Sequence, residues 1–467
     1  MSEKTLAERI AAFAAACRYD ELPPDVTDSV RSRVLDILGL CLAARGLPSS
    51  QAVLGYVTDQ GGRGDSHVIG EPEPVPAALA ALANGVLAHS LDYDDTHLPS
   101  VLHPSASVVP AALAAGQLAG ASGRETIAAI AAGLEVCVRL GMAGYDRKAG
   151  NSTFFEYGQH ATSICGTIGS AVSAAMLLGL GEEGVRNAIG VAASMSSGII
   201  EANRTGGTVK RTHCGWAAHS GVTAAQLVQR GITGPPTVLE GRFGFFTAFL
   251  RGEFDAEEIT RGLGTVWAVP GIFFKPYPAN HFTHTAIDAA LALRARGLDP
   301  GEIESITLGA PSPVIRTIGQ PIEHKRLPET GYQAQFSGPY AVAAGLLGGG
   351  GLGVGLDDFT DELARDPRRR ALMAKVEVVA DERCDQIFPE QFPAVLCVRT
   401  ADGRKWTEEV LANRGGPQRP LSEEELGLKF RDNAGRALSS EAMDRVEDGI
   451  RRMAEMSNLN DLLRQVS

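Results

Sequence analysis

Between His89 and Ser105 the chain gathers more chemistry than anywhere else: His89, Asp92, Asp94, Asp95, Thr96 and His97, then His103-Pro104-Ser105, with apolar residues on either side. Imidazole next to carboxylate is the side-chain pairing that moves protons near neutral pH. If residues 84–96 are helical, His89, Asp92, Asp95 and Thr96 share a face at i, i+3 and i+4 spacing. Pro104 suits the first position of a helix, which puts His103 at its N-cap. Exposed N–H groups there favour a bound carboxylate, and the helix dipole disfavours imidazolium. The chemistry this predicts is a neutral imidazole shuttling a proton next to a carboxylate ligand. A metal site is the alternative, but H-x2-D-x2-D is a weak ligand spacing, so the expectation is no metal. Asp94, Asp95 and His97 also suit plain capping and surface roles.

Four further groups stand along the chain. They are Gln159-His160 with Thr162-Ser163, Lys210-Arg211-Thr212-His213, the segment 273–288 with Lys275, Tyr277, His281 and His284, and Tyr340 in QFSGPYAVA. Singly each is weak. A lone Lys is usually solvated, and a buried His or Tyr usually just satisfies its hydrogen bonds.

These residues need elements to hold them. Residues 5–46 read as two amphipathic helices split at LPPD, and from Val75 to about Leu250 the pattern stays helical and rich in alanine. Beyond Pro270 the segments 303–310, 375–381 and 394–410 alternate apolar and polar residues, and Asp402-Gly403 marks a hairpin turn. After Gly415-Gly416-Pro417 the chain turns helical again. The expected architecture is mostly α: an all-helical domain from residues 1–269 and 416–467, with an α/β domain of residues 270–415 inserted. A substrate is expected in the cleft between the two.

Composition narrows the function. The 467 residues carry a net charge of −12, with 43 Lys+Arg against 55 Asp+Glu, which argues against a nucleic-acid binder. Seven cysteines without a C-x-x-C motif point to a reduced, cytoplasmic setting rather than a disulfide framework or zinc ribbon. The most membrane-like stretch, Ser163 to Gly181, is studded with Ser and Gly and reads as a buried core helix. Arg63-Gly64-Asp65 reads as a surface turn. Gly348 to Gly351 reads as a loop, because no G-K-[ST] follows it.

Taken together the groups resemble the MmgE/PrpD family. HSLDYDDTHLPSVLHPSASVVPAALA is similar to its H-x-x-D-[FY]-D-D-T…H-P-[ST] segment, HATSICGTIGSAVSAA to its H-x5-G segment, and VKRTHCGWAAHSG to its K-x-x-H-x-G segment. KPYPANHFTHTAID, FSGPYAVA and GGPQRPLSEEELGLKFRDNA resemble three later blocks, in order. The resemblance implies a homodimeric enzyme without a cofactor, acting on a small carboxylate, with the α/β domain as a lid. Its known activities are 2-methylcitrate dehydration, cis-aconitate decarboxylation and iminodisuccinate epimerisation, and dehydration is the first expectation. The implied catalytic residues are His103 as the proton-transferring group oriented by Asp92, with Lys210, His160 and Lys275. Thr96, Tyr340, His281 and His213 would contact substrate. Where many relatives carry Cys-Arg this chain has Asn280-His281. A bidentate carboxylate clamp is therefore missing there.

Overall fold

The computed structural model describes residues 4–202 and 207–466. Contacts divide the chain into two compact units, residues 1–272 with 433–467, and residues 273–432. The second boundary falls inside the helix Glu423–Ala434.

The first unit is helical. Its main helices are α1 (Leu6–Ala16), α2 (Pro24–Ala44), α3 (Pro48–Gln60), α4 (Ala77–His89), α5 (Ser105–Ala119), α6 (Gly123–Ala143), α7 (Ala161–Leu177), α8 (Gly181–Met195) and α9 (His213–Gln229), with α12 (Ser440–Arg451) from the far end of the chain. Local signals set several starts. Thr5 with Glu8 and Ser122 with Glu125 form capping boxes that open α1 and α6. Pro24 opens α2. Two short antiparallel ladders interrupt the helical pattern, Ser66–His67 with Pro74–Val75 and Tyr145–Asp146 with Asn151–Ser152. α7 is the hub and packs on α5, α6, α8 and α9. By length and composition α6 is the one unbroken helix, among the described residues, able to cross a membrane, and 94% of its apolar window is buried inside the protein. None of the seven cysteines is paired.

Glycines let the site-bearing helices touch. A Cβ added to Gly215 of α9 would lie 2.3 Å from the Leu82 carbonyl oxygen of α4, and one on Gly85 would lie 2.6 Å from the Gly215 Cα. Gly85 is one turn before His89, and Gly215 is two residues after His213, so this crossing brings the two histidines' helix ends together. Both obstacles are backbone, which cannot swing aside. Gly215→Ala is therefore expected to destabilise the protein by about 1–3 kcal/mol. A thermal melt indistinguishable from the parent's would contradict the close crossing.

The second unit is built on a four-stranded sheet of β1 (Ile303–Ala310), β2 (Val376–Ala380), β3 (Ala394–Thr400) and β4 (Lys405–Val410), in the order β2-β1-β3-β4. β1 and β2 are parallel, and the other pairs are antiparallel. β3 and β4 form the hairpin that Asp402-Gly403 announced, with Gly403 at φ 89. Helices α10 (His284–Ala295) and α11 (Gly338–Leu347) supply the apolar face, where Ile287, Ala290 and Val342 meet Ile306, Leu308 and Leu396. The glycine run at 348–351 is filled from within. Asp358 accepts from the backbone N–H groups of Gly349, Gly350 and Gly355 at 3.0–3.3 Å.

Candidate active site

The polar segment after α4 is not helical as its spacing suggests. α4 ends at His89, and Asp92 adopts φ 52, a left-handed conformation that stops the helix and that aspartate tolerates better than most residues. Its carboxylates therefore fan out to separate partners rather than lining one face. Asp92 meets Lys210 at 3.3 Å, Asp94 meets His89 Nδ1 at 2.7 Å, and Asp95 meets Arg33 of α2 at 2.6 Å. All three acids are buried, and Asp94 is wholly so.

Asp95 organises the entry to α5. Its carboxylate accepts from the Ser105 N–H at 3.2 Å and from the Ser105 hydroxyl. Pro104 takes the N-cap position and Ser105 the first helical one, so His103 stands one residue earlier than the sequence suggests. The capping is done by Asp95, not by His103. Arg33, 1% exposed, braces Asp95 and also donates to the carbonyls of Ile272 at 2.7 Å and Val269 at 3.3 Å. Burial pushes the Asp95 carboxyl up against the pull of Arg33.

His103 is seated by the backbone of that same residue. Its Nδ1 lies 2.7 Å from the Asp95 carbonyl oxygen and 3.3 Å from the Thr96 hydroxyl, while its backbone N–H donates to the Thr162 hydroxyl at 3.2 Å. A carbonyl oxygen only accepts, so Nδ1 carries the proton. In neutral His103 the basic lone pair is on Nε2. The side chain is part-exposed, unlike the acids around it.

His160 precedes α7, and His213 opens α9. Their Nδ1 atoms are 2.9 Å apart, a distance that holds one proton between them and not two. Burial first, and the positive neighbours His89 and Lys210 after it, hold His213 down to about 4 and His160 well below its ordinary value. Both are neutral imidazoles at pH 7. The consequence for stability has a definite sign. His213 takes up a proton near pH 6.5 when unfolded but only near 4 when folded, so it removes stability as the pH falls through that window. The parent should accordingly lose stability relative to His213→Gln between pH 6.5 and 4. Denaturation curves that keep a constant difference across that range would contradict the buried neutral imidazole.

One group among the described residues has metal-ligand character. His89, Asp94 and Cys214 bring donor atoms within 4.8 Å of one another. Burial first, and the nearby Asp94 after it, push the Cys214 thiol well up. His97 is spent on structure, its Nδ1 2.7 Å from the Ser100 hydroxyl.

The first unit thus gathers Asp92, Thr96, His103, His160, Lys210 and His213. The remaining expected site residues belong to the second unit. Lys275 is 1% exposed. His281 stacks on His284 at 4.4 Å between ring centroids, edge-on to Phe273 and Phe392. Asn280 caps that turn, accepting from the Phe282 N–H at 3.1 Å. Tyr340 is a core residue, its hydroxyl donating to the Asp358 carbonyl at 2.6 Å and accepting from Arg369 at 3.1 Å. Sequence reasoning missed Arg33, although a lone arginine on the apolar stripe of Val30, Val34 and Ile37 was a readable signal. It noted His89 and Asp94 without giving either a place in the site.

Known proteins resemble this chain along its length. Models of the MmgE/PrpD N-terminal and C-terminal domains match residues 8–257 and 277–453. Cis-aconitate decarboxylase of Mus musculus is 28% identical, over 99% of this chain and 94% of that protein. That of Homo sapiens is 29% identical with the same coverage, 99% and 94%. The mitochondrial 2-methylcitrate dehydratase of Yarrowia lipolytica is 28% identical over 49% of this chain and 42% of its own.

Proposed function

The chain belongs to the MmgE/PrpD family, and from that premise we propose that it is a lyase without a cofactor that moves a proton at a carbon next to a carboxylate of a small di- or tricarboxylate. One observation carries this reading: the seat of His103, with Nδ1 tied to the Asp95 carbonyl and the basic lone pair on Nε2 beside a lysine and two neutral imidazoles. A proton shuttle needs a base of near-neutral strength, and an enediolate-like species needs positive charge and hydrogen-bond donors nearby. His103 supplies the proton-transferring group, as acid or as base according to the reaction. Lys210, 13% exposed at its side chain and already facing Asp92, supplies the charge. Of His160 and His213, the ring whose Nδ1 accepts in their shared contact keeps its Nε2–H to donate to a substrate oxygen, and Thr96 steadies His103.

Release of CO2 from an unsaturated tricarboxylate is the better supported of the two lyase reactions. The decarboxylases resemble this chain over 99% of its length, the dehydratase over 49%. In that reaction the bond to the departing carboxylate breaks, and its electron pair forms a new double bond. The old double bond's pair takes a proton, given up by His103 in its protonated form, at the carbon next to a remaining carboxylate, and solvent returns a proton to His103 before the next turnover. Dehydration, the second reading, uses the same group in the other direction: a proton leaves that carbon, and hydroxide departs with a proton as water.

A panel of cis-aconitate, 2-methylcitrate and related carboxylates, followed by NMR with CO2 detection, tests the proposal. We expect one of them to turn over with loss of CO2 or water, and activity to survive exhaustive chelation. No turnover of any member, or loss on chelation with rescue by one metal, would overturn it.

A further inference from the structure

We propose that residues 258–272, the last stretch of the first unit before the chain enters the second, are a positioning element of the proton-transfer centre: Arg33 ties the end of this strap to Asp95, and through Asp95 to the seat of His103. The effect on catalysis rests on the function proposed above. The tie itself does not.

Beyond Thr260 the strap is built of turns, with one tight helical turn at Val269–Gly271. Buried carbonyls in such a stretch must find donors outside it. Two buried arginines supply them. Arg139 of α6, itself paired with Glu135 at 2.6 Å, donates to the carbonyls of Arg261 at 2.8 Å and Val266 at 2.7 Å. Glu135 accepts from the Ala268 N–H at 2.8 Å. Arg33 of α2 holds the end of the strap, donating to the carbonyls of Val269 at 3.3 Å and Ile272 at 2.7 Å. Side chains from two helices thus set the path of a segment that has little regular structure of its own.

The other hand of Arg33 reaches the site. Its Nη1 donates to the Asp95 carboxylate at 2.6 Å. The Asp95 carbonyl holds His103 Nδ1 at 2.7 Å, and the Asp95 carboxylate accepts from the Ser105 N–H at 3.2 Å, where α5 begins. One planar guanidinium therefore fixes, in a single geometry, the end of the strap and the residue that seats His103. Asp36, three residues on in α2 and also buried, adds a second negative charge beside Arg33, so a cation at this position is favoured independently of the strap. A shift of the strap turns the guanidinium, the guanidinium moves Asp95, and the Asp95 carbonyl carries His103 Nε2 with it. Proton transfer is steep in geometry, and a misplacement of about 1 Å arising far from the chemistry can slow it roughly 100-fold.

The test is hydrogen exchange on the full chain without substrate, for the parent, Arg33→Lys and Arg139→Lys. It is read by mass spectrometry on peptides covering residues 103–108 and 258–272, with α8 as the reference. Lysine keeps a positive charge opposite Asp95, but its donors sit at one point and cannot reach the carboxylate and both carbonyls at once. Arg33→Lys should therefore speed exchange in both segments, by roughly 10-fold or more relative to α8. Arg139 is bonded to the strap and to Glu135, yet Arg139→Lys should loosen residues 103–108 as well as the strap. Faster exchange in the strap with 103–108 unmoved would overturn the proposal, and so would an equal rise everywhere including α8, which is plain loss of stability. The parent alone decides if neither variant folds: mild denaturant should open the two segments together and before α8, and opening at separate concentrations would overturn the tie. With a substrate in hand, Arg33→Lys should lower kcat roughly 10- to 100-fold and leave KM nearly unchanged. An unchanged kcat would remove the strap from the reaction. The expected exchange in a protein that turns over no carboxylate would leave the tie standing and count against the functional reading.

Discussion

Replacing His103 with alanine is expected to lower kcat by roughly 100- to 10,000-fold, the usual loss when a positioned acid–base group is removed. The fold should survive. His103 is part-exposed and does not cap α5, so its removal costs a hydrogen bond to the Asp95 carbonyl and one to Thr96. Each such bond contributes about 1 kcal/mol. KM should change little, because Lys210 and the His160–His213 pair remain to hold substrate oxygens. Kinetics read beside melting curves separate the outcomes. Near-normal kcat would remove His103 from the chemistry, and a variant that unfolds would make it a structural residue.

Asp95→Ala should act on both stability and rate. It leaves Arg33 buried with its two carbonyl partners but without its carboxylate, and it strips the cap from α5. Breaking a buried ion pair from one side typically costs about 3–5 kcal/mol. Because the backbone of residue 95 seats His103, the surviving folded fraction should also turn over more slowly, through kcat rather than KM. Chemical denaturation that shows a loss below about 1 kcal/mol, with kcat intact, would contradict the brace that Arg33 and Asp95 are argued to form.

Much of this was legible in the residues. Helical periodicity and the Asp-Gly turn were enough to mark out α1, α2 and the β3–β4 hairpin, because each rests on local backbone chemistry. The site segment was harder. The spacing of His89, Asp92 and Asp95 reads as one helical face, yet the helix stops at His89 and the acids diverge. Their partners are far away in sequence: Arg33 is 62 residues from Asp95, and Lys210 is 118 from Asp92. Periodicity within a segment carries no information about such pairings. Pro104 misplaced His103 for a related reason. Proline fits both the N-cap and the first turn, and only the reach of Asp95 to Ser105 decides between them. Tyr340, expected near substrate, is held by Asp358 and Arg369, neither of which stood out in the sequence.

The claim at the centre of this account is that His103 moves a proton at a carbon next to a carboxylate. Turnover of cis-aconitate in D2O, with the product examined by 1H and 2H NMR, tests it most directly. The account predicts release of CO2 and one solvent deuterium per product molecule, on the carbon next to a remaining carboxylate, and near-complete loss of that signal in His103→Ala. A product free of solvent deuterium, or full labelling by His103→Ala, would contradict it.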